Sequence, residues 1–187
     1  MRLHRASRAS LTEAFTDAGS GQTTCRKTAY SCDMEEQTRF PEVEGKSLAG
    51  SHLQLPGDFD GDPTLALVAF QRHQQRDIDT WIPLSIALTE EFPDLRSYEV
   101  PVIPRGYRLV SWFIDGGMRA GIPDPAIRST TITVYTDKSR FLAALDLGGD
   151  DVIQILLIAT DGTIIWRADG PRSNEAETEL RAALANR

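Results

Sequence analysis

An uninterrupted apolar segment that runs directly into a helical pattern constrains the fold of this chain most strongly. Residues 65–70 read LALVAF, and such a run is typical of a strand that is buried on both faces of a sheet. Over residues 77–92 the apolar side chains recur at helical spacing, which predicts an amphipathic helix with a kink at Pro83. Together the two segments predict an α/β fold whose central strand leads straight into a helix.

Further strand and helix signals alternate along the chain. The glycines within residues 40–55 favour an irregular lead-in with a short edge strand. Residues 98–103 predict a second strand, which Pro101 and Pro104 shift towards an edge or an irregular position. Three more elements are predicted downstream: a helix over 105–120, a β-branched strand over 130–135 and a short helix over 139–147.

The last third of the sequence predicts a β-hairpin followed by a helix. Two strand-like segments, residues 153–158 and 163–167, flank Asp161-Gly162, which is a strong hairpin-turn signal. Ser173 is a typical N-cap residue, and the glutamates that follow it suit the positive end of a helix. We therefore expect an antiparallel hairpin and a terminal helix.

The chain divides into a polar leading segment and one folded domain. Residues 1–39 are rich in small polar and charged residues, and their few large apolar groups show no sustained period. Such a segment buries too little surface to offset its ordering entropy, so we expect it to be disordered or poorly ordered. The folded domain is expected over residues 40–187.

Charge and hydropathy exclude several classes of function. The net charge of -7 argues against nucleic-acid binding, which draws its affinity from clustered cations. No run of about 18 apolar residues is present, so no membrane insertion is expected.

The acidic turn over residues 57–62 lacks the glycine and the distal glutamate of a calcium loop, and no metal or cofactor is expected. We predict a soluble cytoplasmic protein, and residues 1–39 leave organelle targeting open.

The order of elements resembles that of the thioredoxin-like superfamily. Within it, the chain is similar to AhpC/TSA-like proteins and to the group of the mitochondrial ATP synthase assembly chaperone. The resemblance extends over residues 40–187 and rests on short motifs: Phe40-Pro41, Leu48-Ala49-Gly50, Leu55-Pro56-Gly57, the strand that ends at Phe70, Trp81 in the next helix, and residues 155–167 with their Asp161-Gly162 turn. It implies a three-layer fold, with a central mixed sheet flanked by helices, a C-terminal β-hairpin and a terminal helix. It also implies non-enzymatic assembly or maturation of a protein partner.

Catalytic members of this superfamily carry a cysteine at the start of the helix after the central strand, and a cis-proline before the hairpin strand opposite it. Residues 74–78 and 151–154 take those places here, and they contain neither a cysteine nor a proline. Since a thiolate is the attacking group in thiol-disulfide chemistry, the sequence favours a redox-inactive domain. We expect its binding surface around the vestigial site, formed by Arg72, His73, Gln75, Arg76, Trp81 and Gln154. Trp81 also lies on the apolar face of its helix, where a core role is the usual one.

Two other functions remain open at this point. Cys25 and Cys32 are separated by six residues, which is neither the spacing of a redox pair nor half of a zinc site. They are the candidate residues if the protein is instead a peroxiredoxin-like enzyme or thiol-disulfide oxidoreductase. The arginine-rich loop around His73 is alternatively a sensor of small anions.

Overall fold

The computed structural model describes residues 38–110 and 124–187. Cys25 and Cys32, with almost all of the predicted leading segment, lie outside these residues. The strands in the described residues are β1 Val43–Ser47, β2 His52–Leu55, β3 Thr64–Ala69, β4 Arg96–Pro104, β5 Ile132–Thr136, β6 Gln154–Ile158 and β7 Ile164–Asp169. The α-helices are α1 Gln75–Glu91, α2 Pro125–Thr130, α3 Lys138–Ala144 and α4 Asn174–Ala185.

All of these strands belong to one mixed sheet, in the order β2-β1-β5-β4-β3-β6-β7. The inner strands β3, β4 and β5 run parallel to one another, whereas β6 is antiparallel to both β3 and β7. The β1–β2 hairpin extends the other side of the sheet, because β1 pairs antiparallel with β5. The predicted α/β architecture with a mixed sheet is confirmed.

Helices cover both faces of the sheet. On one face, Trp81 of α1 and Leu180 of α4 share a buried cluster with Leu67 of β3. On the other face, Phe141 of α3 packs with Val68 of β3. Successive side chains of β3 thus point into different cores, and all of its residues are buried. This explains why the sequence of β3 is apolar without interruption.

The structure corrects two of the strand predictions. The lead-in over residues 40–55 forms a regular hairpin of β1 and β2 where an irregular segment was expected, and Gly50 adopts the positive φ of 108° that its turn requires. The short edge strand that was predicted there is present as β2. β4 is an interior strand, paired with both β3 and β5, although edge or irregular character was expected from its prolines. Pro101 faces Ala69, the last residue of β3, and Pro104 ends β4. The prolines therefore stand where the ladders stop, and a missing N–H costs little pairing there.

The helix predicted over 105–120 begins differently from expectation. Residues Arg105–Val110 form a 3-10 helix, and the rest of that prediction lies outside the described residues. In the described part of the chain, no helix is both long and apolar enough to cross a bilayer.

The end of the chain matches its prediction. β6 and β7 form the antiparallel hairpin, and Gly162 takes a positive φ of 87° in its turn. Ser173 caps α4 by accepting a hydrogen bond from the backbone N–H of Ala176 at 3.1 Å.

Candidate functional site

The junction between β3 and α1 is held by a buried glutamine. After β3, the chain passes through Phe70 and Gln71 into a 3-10 turn over Arg72–Gln74, and α1 begins at Gln75. The side chain of Gln74 points inward, and only 1% of the residue is exposed. Its Oε1 accepts hydrogen bonds from the backbone N–H groups of Phe70 at 2.8 Å and Gln71 at 3.0 Å. One amide thereby satisfies two donors that the end of the strand leaves without partners.

The same glutamine ties this junction to the loop that precedes β6. Gln74 Nε2 donates to the backbone carbonyl of Asp150 at 2.7 Å, and Gln71 Nε2 donates to the same oxygen at 3.1 Å. Here the two segments are joined by amide hydrogen bonds.

A lysine completes the junction from the other side. Lys138, the first residue of α3, donates from Nζ to the Phe70 carbonyl at 2.9 Å and to the Asp150 carboxylate at 2.7 Å. The hydrogen bond from Lys138 lowers the pKa of Asp150 below its usual value, and partial burial opposes this effect. We refer to Phe70, Gln71, Gln74, Lys138 and Asp150 as the junction network.

The predicted site residues fall into two groups. Arg72, His73, Gln75 and Arg76 are exposed on the outer side of the junction. Two predicted residues lie beneath it: Trp81 is 1% exposed and Gln154 is 4% exposed. Burial prevents both from contacting a partner directly.

Trp81 is held in the core by contacts with the end of the last hairpin. Its indole Nε1 donates to the backbone carbonyl of Gly170 at 3.0 Å, and its ring meets Trp166 edge to face at a centroid distance of 6.4 Å. Gln154 is the first residue of β6 and pairs with Val68 in the sheet.

A carboxyl group that the sequence analysis did not single out lies next to the start of α1. Glu99 pairs in register with Leu67, so its side chain is on the sheet face that α1 covers. Burial raises the pKa of Glu99, with a smaller contribution from the negative charge of Asp79, whereas a hydrogen bond from Gln75 lowers it. Gln75 Nε2 also donates to Asp79 Oδ1 at 3.1 Å. Its amide therefore contacts two carboxyl groups.

Sequence reasoning also missed four members of the junction network: Gln71, Gln74, Lys138 and Asp150. Gln74 and Gln75 are identical neighbours, and nothing local shows that the first points inward. Lys138 lies 68 residues from the carbonyl it binds. The signal that was available is the concentration of polar residues directly after a fully buried strand, which must satisfy the backbone groups at that strand end.

The chemistry of the junction is that of a closed polar cluster. The positions that a reactive thiol would occupy at the start of α1 hold amide, guanidinium, carboxylate and aliphatic side chains. Ile78, in the first turn of α1, is fully buried in the core. The junction network satisfies its hydrogen-bonding groups internally. Its outer side carries the exposed side chains of Arg72, His73, Gln75 and Arg76.

No protein-family model matches the chain, and no curated protein matches it by sequence. Solved structures do match. BsSco, a member of the Sco family of cytochrome c oxidase assembly proteins, has a TM-score of 0.55 at 13% identity, over 81% of this chain and 96% of that one. A thiol:disulfide interchange protein from Bacteroides sp. has a TM-score of 0.51 at 15% identity, over 78% and 88% of the two chains.

The exposed lipoprotein thioredoxin of Streptococcus pneumoniae is similar to the same extent, with a TM-score of 0.51 at 12% identity over 78% of this chain and 99% of that one. Likeness at such low identity shows the fold. The chain thus has a thioredoxin-like α/β fold, and this confirms the fold expected from its sequence.

Proposed function

We propose that this chain is a redox-inactive thioredoxin-like domain that binds another protein during its assembly or maturation. Within the superfamily, the proposal rests on the similarity of its sequence motifs to the group of the mitochondrial ATP synthase assembly chaperone and to the AhpC/TSA-like proteins. The cytoplasm is the proposed compartment, and targeting to an organelle by residues 1–39 is the alternative.

The observation that carries the proposal is the position of Gln74. A thiol catalyst needs an accessible sulfur at the start of α1, where the helix dipole lowers its pKa. At this place the chain has a buried amide that is engaged in three hydrogen bonds. No cysteine is present anywhere between residues 33 and 187. The scaffold is retained, and the reacting atom of the usual chemistry is missing from the domain.

A role in the assembly of another protein is compatible with this fold. BsSco belongs to a family of cytochrome c oxidase assembly proteins and has a similar fold. Such a role requires a surface that a partner recognises, and the four exposed side chains outside the junction network supply one.

Absence of thiol catalysis is tested with the purified full-length chain. We expect no turnover in insulin-disulfide reduction with dithiothreitol or in thiol-dependent peroxide reduction. Measurable turnover would overturn the proposal. If Cys25→Ser or Cys32→Ser abolished that turnover, the alternative would stand: a peroxiredoxin-like enzyme or thiol-disulfide oxidoreductase that uses these cysteines.

Partner binding is tested with a photo-crosslinking amino acid at one of two exposed histidines. His73 lies beside the junction, and His52 begins β2 at the edge of the sheet. We expect a discrete crosslinked protein from position 73 in cells of the natural host, and none of the same size from position 52. Identical patterns from both positions, or no product from position 73, would contradict the proposed surface.

A further inference from the structure

Three arginines near the carboxyl ends of β3 and β4 lack side-chain partners, whereas the other cationic side chains in the described part of the chain are paired. Among the arginines and lysines whose side chains the structure describes, three have guanidinium groups that make no hydrogen bond or ion pair: Arg72, Arg76 and Arg105. The other described cationic side chains each make a polar or electrostatic contact: Arg39, Lys46, Arg96, Arg128, Lys138, Arg140, Arg167, Arg172, Arg181 and Arg187. The unpaired cations are therefore confined to one region of the described fold.

The topology brings these three arginines to the same end of the parallel strands. Arg72 and Arg76 follow β3, and Arg105 follows β4. Since β3 and β4 are parallel neighbours, their carboxyl ends lie side by side at the same end of the sheet. All three arginines are exposed there.

Two other exposed side chains extend this cationic region. His73 lies between the first two arginines in sequence, and Tyr107, two residues after Arg105, is 55% exposed. A tyrosine ring adds apolar contact area together with a hydroxyl group. We refer to Arg72, His73, Arg76, Arg105 and Tyr107 as the edge patch.

The absence of ion pairs at these three arginines is unusual in a chain that has more acidic than basic residues. The protein carries 27 acidic residues against 20 lysines and arginines, so carboxylates are abundant. Asp77 and Asp79 follow Arg76 closely in sequence, yet neither forms an ion pair with it among the described residues. The guanidinium donors of the patch are hence available to a second molecule, and their planar geometry matches carboxylates.

We propose that the edge patch binds a short acidic segment of a partner protein, through ion pairs from Arg72, Arg76 and Arg105 to its aspartates and glutamates. This inference rests on the proposed function and names the chemistry of the partner. The overall charge of -7 repels an extended polyanion such as nucleic acid, whose affinity depends on many phosphate contacts. A short acidic segment senses mainly the local charges, because screening limits their range to about 8 Å at physiological salt.

The test is fluorescence anisotropy on the full-length chain with a labelled peptide that alternates acidic residues with serine. A matched peptide carries Asn or Gln at every acidic position. We expect the acidic peptide to bind and the neutral peptide not to bind, with affinity that falls as salt is raised. Equal binding of the two peptides, or no binding of either, would overturn the proposal.

Two charge-matched triple variants locate the site. Substitution of Arg72, Arg76 and Arg105 by Ser should weaken binding about tenfold, since each exposed pair contributes modestly. The control substitutes Arg39, Arg181 and Arg187 by Ser, which pair with Asp161, Glu91 and Asp62 away from the patch. We expect the control to retain affinity within twofold, after circular dichroism has shown that both variants are folded. Equal losses in the two variants would refute a local site.

A competition experiment distinguishes an acidic peptide from other anions as the ligand of the edge patch. Inorganic phosphate and a single-stranded oligonucleotide are added to the peptide complex at matched ionic strength. We expect neither to displace the peptide beyond the effect of salt, and effective displacement would make the patch a general anion site. If the acidic peptide failed to bind while the His73 crosslink persisted, the partner chemistry would be wrong and the proposed function would stand. Thiol turnover would overturn the function and leave peptide binding unaffected.

Discussion

Replacing Gln74 by methionine is the sharpest test of the junction network. Methionine has a similar length and removes both the acceptor and the donor of the amide. Three hydrogen bonds disappear: those from the backbone N–H groups of Phe70 and Gln71, and the one to the Asp150 carbonyl. The N–H groups of Phe70 and Gln71 remain in place and lose their acceptor, because the side chain that bonds them is only 1% exposed, whereas the Asp150 carbonyl keeps its hydrogen bond from Gln71 Nε2.

The expected cost follows from these three bonds. A net contribution of about 1 kcal/mol for each predicts a loss of about 3 kcal/mol in the free energy of unfolding. For a chain of this size, about 2–4 °C of melting temperature corresponds to each kcal/mol, so the midpoint should fall by about 6–12 °C. The apolar methionine side chain recovers only a small part of this loss, because the unsatisfied backbone groups dominate.

Urea denaturation followed by tryptophan fluorescence measures the change in the free energy of unfolding, since Trp81 of α1 is buried in the core. Gln54→Met is the matched control: it is the same substitution at an exposed position of β2, where the side-chain amide makes no hydrogen bond among the described residues. We expect this control to change stability by less than about 0.5 kcal/mol. If Gln74→Met were as mild as Gln54→Met, the inward amide would not hold the junction and the reasoning would be refuted.

Three more substitutions test neighbouring contacts by denaturation. Lys138→Met should cost about 1 kcal/mol at neutral pH. This difference should shrink as the pH falls through the lowered pKa of Asp150, because protonation removes the charge that Lys138 stabilises; a pH-independent difference would contradict the pairing. Glu99→Gln should stabilise the protein at neutral pH and have little effect below the ordinary glutamate pKa, since the raised pKa of Glu99 makes its ionised form unfavourable in the fold; destabilisation at neutral pH would contradict this. Trp81→Phe should lower stability by about 2 kcal/mol through a smaller ring and an unpaired Gly170 carbonyl; an unchanged melting temperature would show that this contact is dispensable.

The parts of the fold that could be predicted from sequence are those specified by local patterns. β3 is apolar throughout because both of its faces are buried, and the Asp161-Gly162 turn between two apolar runs defines the last hairpin. β4 was placed at an edge because proline normally interrupts a ladder. Whether a proline harms pairing depends on which residue of the neighbouring strand it faces, and Pro101 faces the end of β3. That information is tertiary and is absent from the local sequence.

The candidate site was less predictable for the same physical reason. Its outer residues were found because they follow the central strand directly. The inner network joins Phe70 to Lys138 and Gln74 to Asp150 across 68 and 76 residues of sequence. Hydrogen bonds of this kind leave no periodic pattern, and each partner alone has the composition of an ordinary loop. Glu99 escaped notice because an acid in a strand is usually solvated, whereas the cover of α1 partly buries this one.

The junction combines two properties that a binding surface needs and a thiol catalyst does not. Its inner side is fully bonded, so the short segment that carries Arg72 and Arg76 is held on both the strand and the loop before β6. Its outer side leaves the charged ends of those arginines without partners in the described fold. A hydrogen-bonded backbone beneath unpaired cations reduces the conformational entropy that this segment itself loses when a partner binds. Catalysis by a thiol would instead require a reactive sulfur with open access at the start of α1. The hydrogen bonds of Gln74 close that place and fix the backbone of the segment that carries the two arginines, which supports the proposed binding function over thiol catalysis.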